Sequence, residues 1–469
     1  MSRRIFLLLF PVLAFIQIAY SQDTIPLLTG KVTLSITKGT IACDFTLSDI
    51  PAIENYYIRI NSGMNIHAFR DLDYNNLIYY EKSFADTMST GETNAYYFPA
   101  GNEGKRKYLP RKIQFRYVGM YPVIREGSGD FSVEDWKGNL SFNGYSLRVD
   151  GMQSAWYPVL YDINNDRRYD KLRYDIEVDC ADCNSIYVNG SLPVKGSTAR
   201  FQSTVPYQLT LFSGKYDFNN IGGSYFLNPD LNSQDLEQFA TITNRFKSYL
   251  QGKLSIPYKG NPVFIQTTPT SEKNSWLFVS YPTIVNIGRG QWGMKKFIEK
   301  SRADWARPYI AHELGHYYFG TYKVFNSALG DMMSEGFSEF LSYKVTKDLI
   351  SDSVYTTTIR KKASMLTGFK VVPFARVNTR NDYHDRELYV YYYAPTIFLA
   401  IEKEIGEGNM WKWLQVLLNT PTQFTDYAFL RKTLYTTLNN SAQSEAIEKK
   451  YFTSDSSIDN ALQTLKLSQ

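Results

Sequence analysis

Histidine is scarce in this chain, with four among 469 residues, and cysteine scarcer still, with three. Only one Cys-x-x-Cys pair exists, Cys180 and Cys183, so a four-cysteine zinc ribbon is excluded. In an exported chain that pair is expected as a small disulfide loop or as free thiols, with Cys43 left over. Long apolar runs are also lacking. The one present, Ile5 to Ile18, is too short to span a bilayer. Arg3-Arg4 precede it and Ala19-Tyr20-Ser21 follow, which reads as a signal peptide over 1–21 with cleavage near Ser21. No cysteine follows the run, against a lipid anchor. The mature chain is expected to be exported (periplasmic, cell-surface or secreted) without a transmembrane segment. A strong charge bias is missing too: the net charge of +5 falls to +3 once Arg3 and Arg4 leave, too little to point to a nucleic-acid partner. Internal repeats and low-complexity linkers are absent.

What remains is an ordinary globular composition, 43% hydrophobic and 21% charged, long enough for two or three domains. Tyrosine is the exception, at 37 residues beside 29 Phe and 7 Trp. Aromatics at this level suit β strands or a binding groove, and strand propensity is the simpler account. From 22 to 217, β-branched and alternating runs such as 28–36, 111–120, 172–180 and 207–217 are separated by Asn/Gly/Asp turn clusters. An antiparallel sandwich or saddle-like β domain is expected there. Residues 218–469 differ. Helical periodicity covers 228–254 with Gly252 as a stop signal, strands are expected at 261–268 and 275–288, and helices dominate after 300. The fold class is α+β, multidomain, with a helical C-terminal part.

Two of the four histidines stand in one turn, in the stretch IAHELGHYYFG over 310–320. Pro308 suits a first helical position and Gly320 a stop, giving a short helix. His312 and His316, at i and i+4, then share a face. His-Glu-x-x-His on a helix is a zinc signature: the imidazoles bind the metal and Glu313 reaches the activated water. A catalytic zinc takes three protein ligands, and eighteen residues after His316 comes Glu335, with Asp331 placed to cap its helix. Glu339, one turn on, is either a partner for a ligand histidine or a solvated carboxylate.

This combination resembles the gluzincin metallopeptidases, specifically the membrane-alanyl-aminopeptidase and leukotriene-A4-hydrolase-like family, whose pattern reads HELxHxWFG followed by NEGFA. The resemblance implies a thermolysin-like catalytic domain, one Zn2+ held by His312, His316 and Glu335, Glu313 as general base, and a peptide or protein substrate. It extends to 205–217, as the end of the family's β domain, and to 248–268, as the opening of its catalytic domain. In YYYAPTIFLAIEKEIG, over 391–406, counting back from Gly406 puts Tyr391 on the family's catalytic tyrosine, with Ala394 in place of glycine. Tyr389, Tyr392 and Tyr393 crowd that assignment, and His384 is a rival oxyanion donor. Two departures stand out. The family's aminopeptidases hold the substrate amine with an acid in Gly-x-Met-Glu-Asn, whereas this chain reads Gly288-Arg289-Gly290-Gln291-Trp292. With the sequence read to 469, a short form without the large C-terminal helical domain of longer relatives is expected.

The expectation is therefore an exported zinc peptidase, either an atypical aminopeptidase or an endopeptidase. The competing readings are a non-catalytic surface peptide- or glycan-binding protein on the same fold, and a member of the glycyl-aminopeptidase group. The strand at 275–288 is expected to offer an edge to an extended peptide.

Overall fold

The computed structural model describes residues 24–83, 93–100, 108–123, 140–165, 167–266, 276–288 and 292–467. Residues 1–21, expected as a signal peptide, and residues 289–291 of the loop compared above lie outside them.

Residues Lys171–Cys180 bury every second side chain, as a half-buried strand requires: Leu172, Tyr174, Ile176, Val178 and Cys180 point inward. This strand belongs to a seven-stranded sheet ordered Thr198–Gln208, Lys171–Cys180, Leu27–Ser35, Thr40–Ser48, Ile113–Met120, Met64–Asp71, Asn76–Ile78. Pairing is antiparallel except between Leu27–Ser35 and Lys171–Cys180, which run parallel. A five-stranded sheet built around Tyr56–Asn61 and Val159–Asp162 and another around Leu211–Gly214 complete the β-rich part. Its core centres on Trp156, fully buried, whose indole N–H donates to the Leu209 carbonyl at 2.8 Å while Phe45 meets its ring edge-on. Cys180 and Cys183 are disulfide-bonded. Cys43 is a buried free thiol, and burial pushes its pKa well up, so it is an inert core residue.

From Phe218 onward strand pairing changes partners. Phe218–Ile221, Ser224–Leu227, Val263–Gln266, Thr283–Ile287 and Trp276–Ser280 form a separate five-stranded sheet in that order. The single strand expected at 275–288 is a hairpin, because Tyr281-Pro282 turns the chain, and Trp276–Ser280 is left at the sheet edge. The two parts meet through Tyr187, Phe212 and Tyr216 on one side and Leu227, Val263 and Val285 on the other.

The helices follow. After a short turn of helix, α1 (Gly151–Ser154), comes α2 (Ser233–Leu254), whose Phe239 packs on Phe226 of Ser224–Leu227 and Phe264 of Val263–Gln266. Then come α3 (Ala303–Tyr318), α4 (Gly330–Val345), α5 (Asp352–Met365), α6 (Arg386–Leu388) and α7 (Ala394–Ile405). Helices continue to the end of the described chain. Among the described residues no helix is long and apolar enough to cross a membrane.

Three expected boundaries move. Gly252 lies inside α2, and Ser255, in the left-handed region at φ 55°, ends it. Pro308 is the sixth residue of α3, not the first: the turn at 299–302 already nucleates the helix, with the Ala303 N–H donating to Glu299 O at 2.8 Å. Asp331 is not the cap of α4 but its second residue, with Leu329 before the helix, and its carboxylate is held by Arg386.

Two glycines set the distances that matter. A Cβ on Gly315 of α3 would come within 3.1 Å of Ser338 Cα on α4, and one on Gly336 of α4 within 2.9 Å of Ala394 Cβ on α7. Small residues at both crossings let the three helices approach closely enough for their side chains to converge.

Candidate metal centre

α3 presents His312 and His316 on one face, as the i, i+4 spacing requires, and α4 crosses that face with Glu335. His312 Nε2 and His316 Nε2 are 3.1 Å apart, and Glu335 Oε2 is 3.3 Å from each. The three atoms form a nearly equilateral triangle. Tetrahedral ligands at about 2.0–2.2 Å from a zinc ion are spaced about 3.3 Å apart, so this set fits one zinc with its fourth position open.

The outer partners reinforce the fit. His312 Nδ1–H donates to Glu339 Oε2 at 2.8 Å. His316 Nδ1 faces Ser338 Oγ at 3.1 Å, Ser334 Oγ at 3.3 Å and the Phe319 carbonyl at 3.5 Å. With Nδ1 of each ring turned to an outer acceptor, the Nε2 lone pairs face one another and the Glu335 carboxylate. Three acceptors at this separation call for a shared cation. The field favours positive charge here: burial alone lowers the His312 pKa, but Glu335 and Glu339 outweigh it and raise it to about 10, and a proton or a metal ion can supply that charge.

Glu313 is buried beside the triangle, and its charge raises both His312 and Tyr391. Tyr391 arrives from a π-helical turn, Tyr389–Tyr393, wound directly onto the start of α7. Pro395 is the second residue of α7, so Tyr391 stands at its N-terminal mouth. Its ring centroid is 5.8 Å from that of His312. Burial first, then the Glu335 charge, hold its phenol well above the ordinary tyrosine range, so it stays a proton donor. Neighbouring tyrosines go elsewhere: Tyr389 donates to the Val372 carbonyl and Tyr393 meets Ser457. His384 is exposed, caps a 3-10 turn, and among the described residues its imidazole makes no hydrogen bond.

Two cations that sequence reasoning missed flank the cluster. Arg386 donates to Asp331 through Nε and Nη2 at 2.6 and 2.7 Å and to Glu335 Oε1 at 3.2 Å. Its guanidinium lies 5.6 Å from the Tyr391 ring centre. Lys362 of α5 donates to Glu339 Oε1 and, at 3.0 Å, to the Tyr391 carbonyl. Burial raises the Glu339 pKa, yet Lys362 and His312 pull it down to about 2, so the carboxylate is ionised. Neither cation belongs to a motif. Both are brought in by helix packing.

No protein-family model and no curated protein matches the sequence. Among solved structures, an M1 zinc metallopeptidase from Deinococcus radiodurans bound to a Tyr-Ser-Ala substrate is similar over 91% of this chain and 93% of its own, with TM-score 0.60 and 12% identity. Leukotriene A4 hydrolase from Saccharomyces cerevisiae is similar over 92% of this chain and 68% of its own, with TM-score 0.60 and 12% identity. Likeness at this identity speaks to architecture. An N-terminal β-rich part followed by a helical C-terminal part is the architecture this chain shares with M1 zinc metallopeptidases.

Proposed function

We propose that the protein is an exported zinc peptidase in which His312, His316 and Glu335 hold one Zn2+ and Glu313 is the general base. The observation that carries the reading is the triangle of acceptor atoms, 3.1–3.3 Å on a side, with Glu313 adjacent to its first member. Zinc, when bound, supplies a Lewis acid and lowers the pKa of a coordinated water to about 7.

The chain's own residues do the rest. Glu313 takes the proton of the attacking water and passes it to the leaving amine. The Tyr391 phenol donates a hydrogen bond to the oxyanion that develops on the scissile carbonyl, a contribution of about 3 kcal/mol for one such donor. Glu339 holds the His312 ring by its Nδ1–H. The strand Trp276–Ser280, at the sheet edge and packed near α3, supports backbone pairing with an extended peptide. Export is supported by the disulfide, and a division at 217/218 by the change of strand partners there.

A second reading, an endopeptidase in place of an aminopeptidase, is favoured by one observation: 288–292 contains no acid to hold a substrate amine. Zinc per chain and cleavage of a mixed peptide library, for wild type and Glu313→Gln, test the proposal. Bound zinc with cleavage lost in the variant supports it, and a folded wild type without zinc overturns it. Cleavage of N-acetylated peptides separates the two readings: an aminopeptidase leaves them uncut.

A further inference from the structure

Lys362 lies on α5, outside every motif, and its ammonium has two partners of different kinds. One is Glu339 Oε1, whose other oxygen accepts from His312 Nδ1 at 2.8 Å. The other is the backbone carbonyl of Tyr391, at 3.0 Å. That carbonyl lacks its α-helical donor. In an α-helix it would accept from the N–H four residues on, but that residue is Pro395, which has none. The chain here is wound as a π turn, with the Ala394 N–H donating to Tyr389 O, and the Thr396 hydroxyl serves the next carbonyl, Tyr392, at 2.6 Å. The Tyr343 hydroxyl stands farther from the Tyr391 carbonyl, at 3.5 Å. The rings of Tyr392 and Tyr343 flank the ammonium at 5.0 and 5.2 Å, and its side chain is 18% exposed, so its direction is set from several sides.

We propose that Lys362 is the positioning residue that ties the two halves of this site together: it orients His312 through Glu339 and sets the place of the Tyr391 phenol through that residue's carbonyl. The proposal rests on the zinc-peptidase reading above. It goes further in assigning a role to a side chain that touches neither metal nor substrate. The plainer role, neutralising a buried Glu339, gives the same loss of stability but no link to the phenol.

The test compares Lys362→Met, Lys362→Arg, Glu339→Gln and Tyr391→Phe, singly and paired, in the zinc-loaded protein. Zinc affinity is read by competition with a chromophoric chelator. In Lys362→Met zinc affinity is expected to fall about 10- to 100-fold, as for other partners of ligand groups, and Lys362→Arg to recover most of it. Adding Lys362→Met to Glu339→Gln is expected to weaken zinc no further, since both break one chain of contacts. At saturating zinc, Lys362→Met is expected to lower kcat with KM little changed, and that loss to vanish in a Tyr391→Phe background.

Folded Lys362→Met with wild-type zinc affinity and kcat overturns the proposal, and so does a kcat loss that simply adds to that of Tyr391→Phe. If Lys362→Met does not fold, the neutral pair Lys362→Gln/Glu339→Gln carries the kcat comparison against Glu339→Gln alone, with the same two outcomes. A wild type that binds zinc and cleaves peptides alongside unaffected Lys362 variants overturns this proposal only. A wild type without zinc overturns the function proposed above as well.

Discussion

Around Trp156 in the β-rich part, buried tyrosine hydroxyls each donate to a backbone carbonyl: Tyr117 to Trp156, Tyr157 to Asp170 and Tyr174 to Asn189, at 2.7–2.8 Å. Between α3 and α4, by contrast, two imidazole nitrogens and a carboxylate oxygen converge on one another, with their own donors turned outward. Both regions bury polar groups, but those three hydroxyls are each taken up by a framework carbonyl, whereas the three atoms between α3 and α4 face one another. A buried polar group paired with a carbonyl is framework, because nothing further is gained by adding a ligand. A buried set of acceptors with no donor between them gains a great deal from a cation, and that distinguishes a site from a core.

The comparison breaks first at the metal. His316→Ala is expected to abolish stoichiometric zinc and all peptide cleavage, measured by elemental analysis of the folded protein, whereas no substitution around Trp156 should do so. Glu313→Gln should retain zinc and lose about 10²- to 10⁴-fold in kcat, since it removes only the proton carrier. Tyr391→Phe should cost about 10²- to 10³-fold in kcat with KM little changed, as expected for a donor that acts on the oxyanion.

On the framework side, Trp156→Ala is expected to destabilise the protein by about 3–5 kcal/mol in denaturant unfolding, with zinc affinity of the folded protein unchanged. Loss of zinc in that variant would erase the distinction between the two regions. The smallest effect sharpens it: Gly315→Ala puts a Cβ 3.1 Å from Ser338 Cα and forces α3 and α4 apart. About 1–3 kcal/mol of stability should be lost, together with weaker zinc binding, because the triangle spans that crossing.

Much of the architecture was legible in the linear pattern. The run over 172–180 marked a strand, and the aromatic abundance, read as strand propensity, is seen in strand residues such as Tyr117 and Tyr174, both buried. Boundaries were less legible, because they depend on what the chain meets. Pro308 was expected to begin a helix that upstream turn hydrogen bonds had already started, and Gly252 was passed by because α2 stays packed in the core that holds Phe226 and Phe264. The 275–288 segment looked like one strand because its apolar residues continue across the turn at Tyr281-Pro282.

What the sequence by itself determined is local and periodic. His312, Glu313 and His316 lie within one helical turn, so 3.6 residues per turn places the two imidazoles on one face whatever else the chain does. The eighteen-residue spacer made Glu335 the candidate third member of that set. Lys362, Arg386 and the winding of Tyr391 carry no such signal. They reach the site from α5, α6 and a π turn because Gly315 and Gly336 allow the helices to close and Pro395 removes the α-helical donor of the Tyr391 carbonyl, which Lys362 meets. Those contacts depend on distances between elements, which no spacing along the chain encodes, and only the tertiary structure decided them.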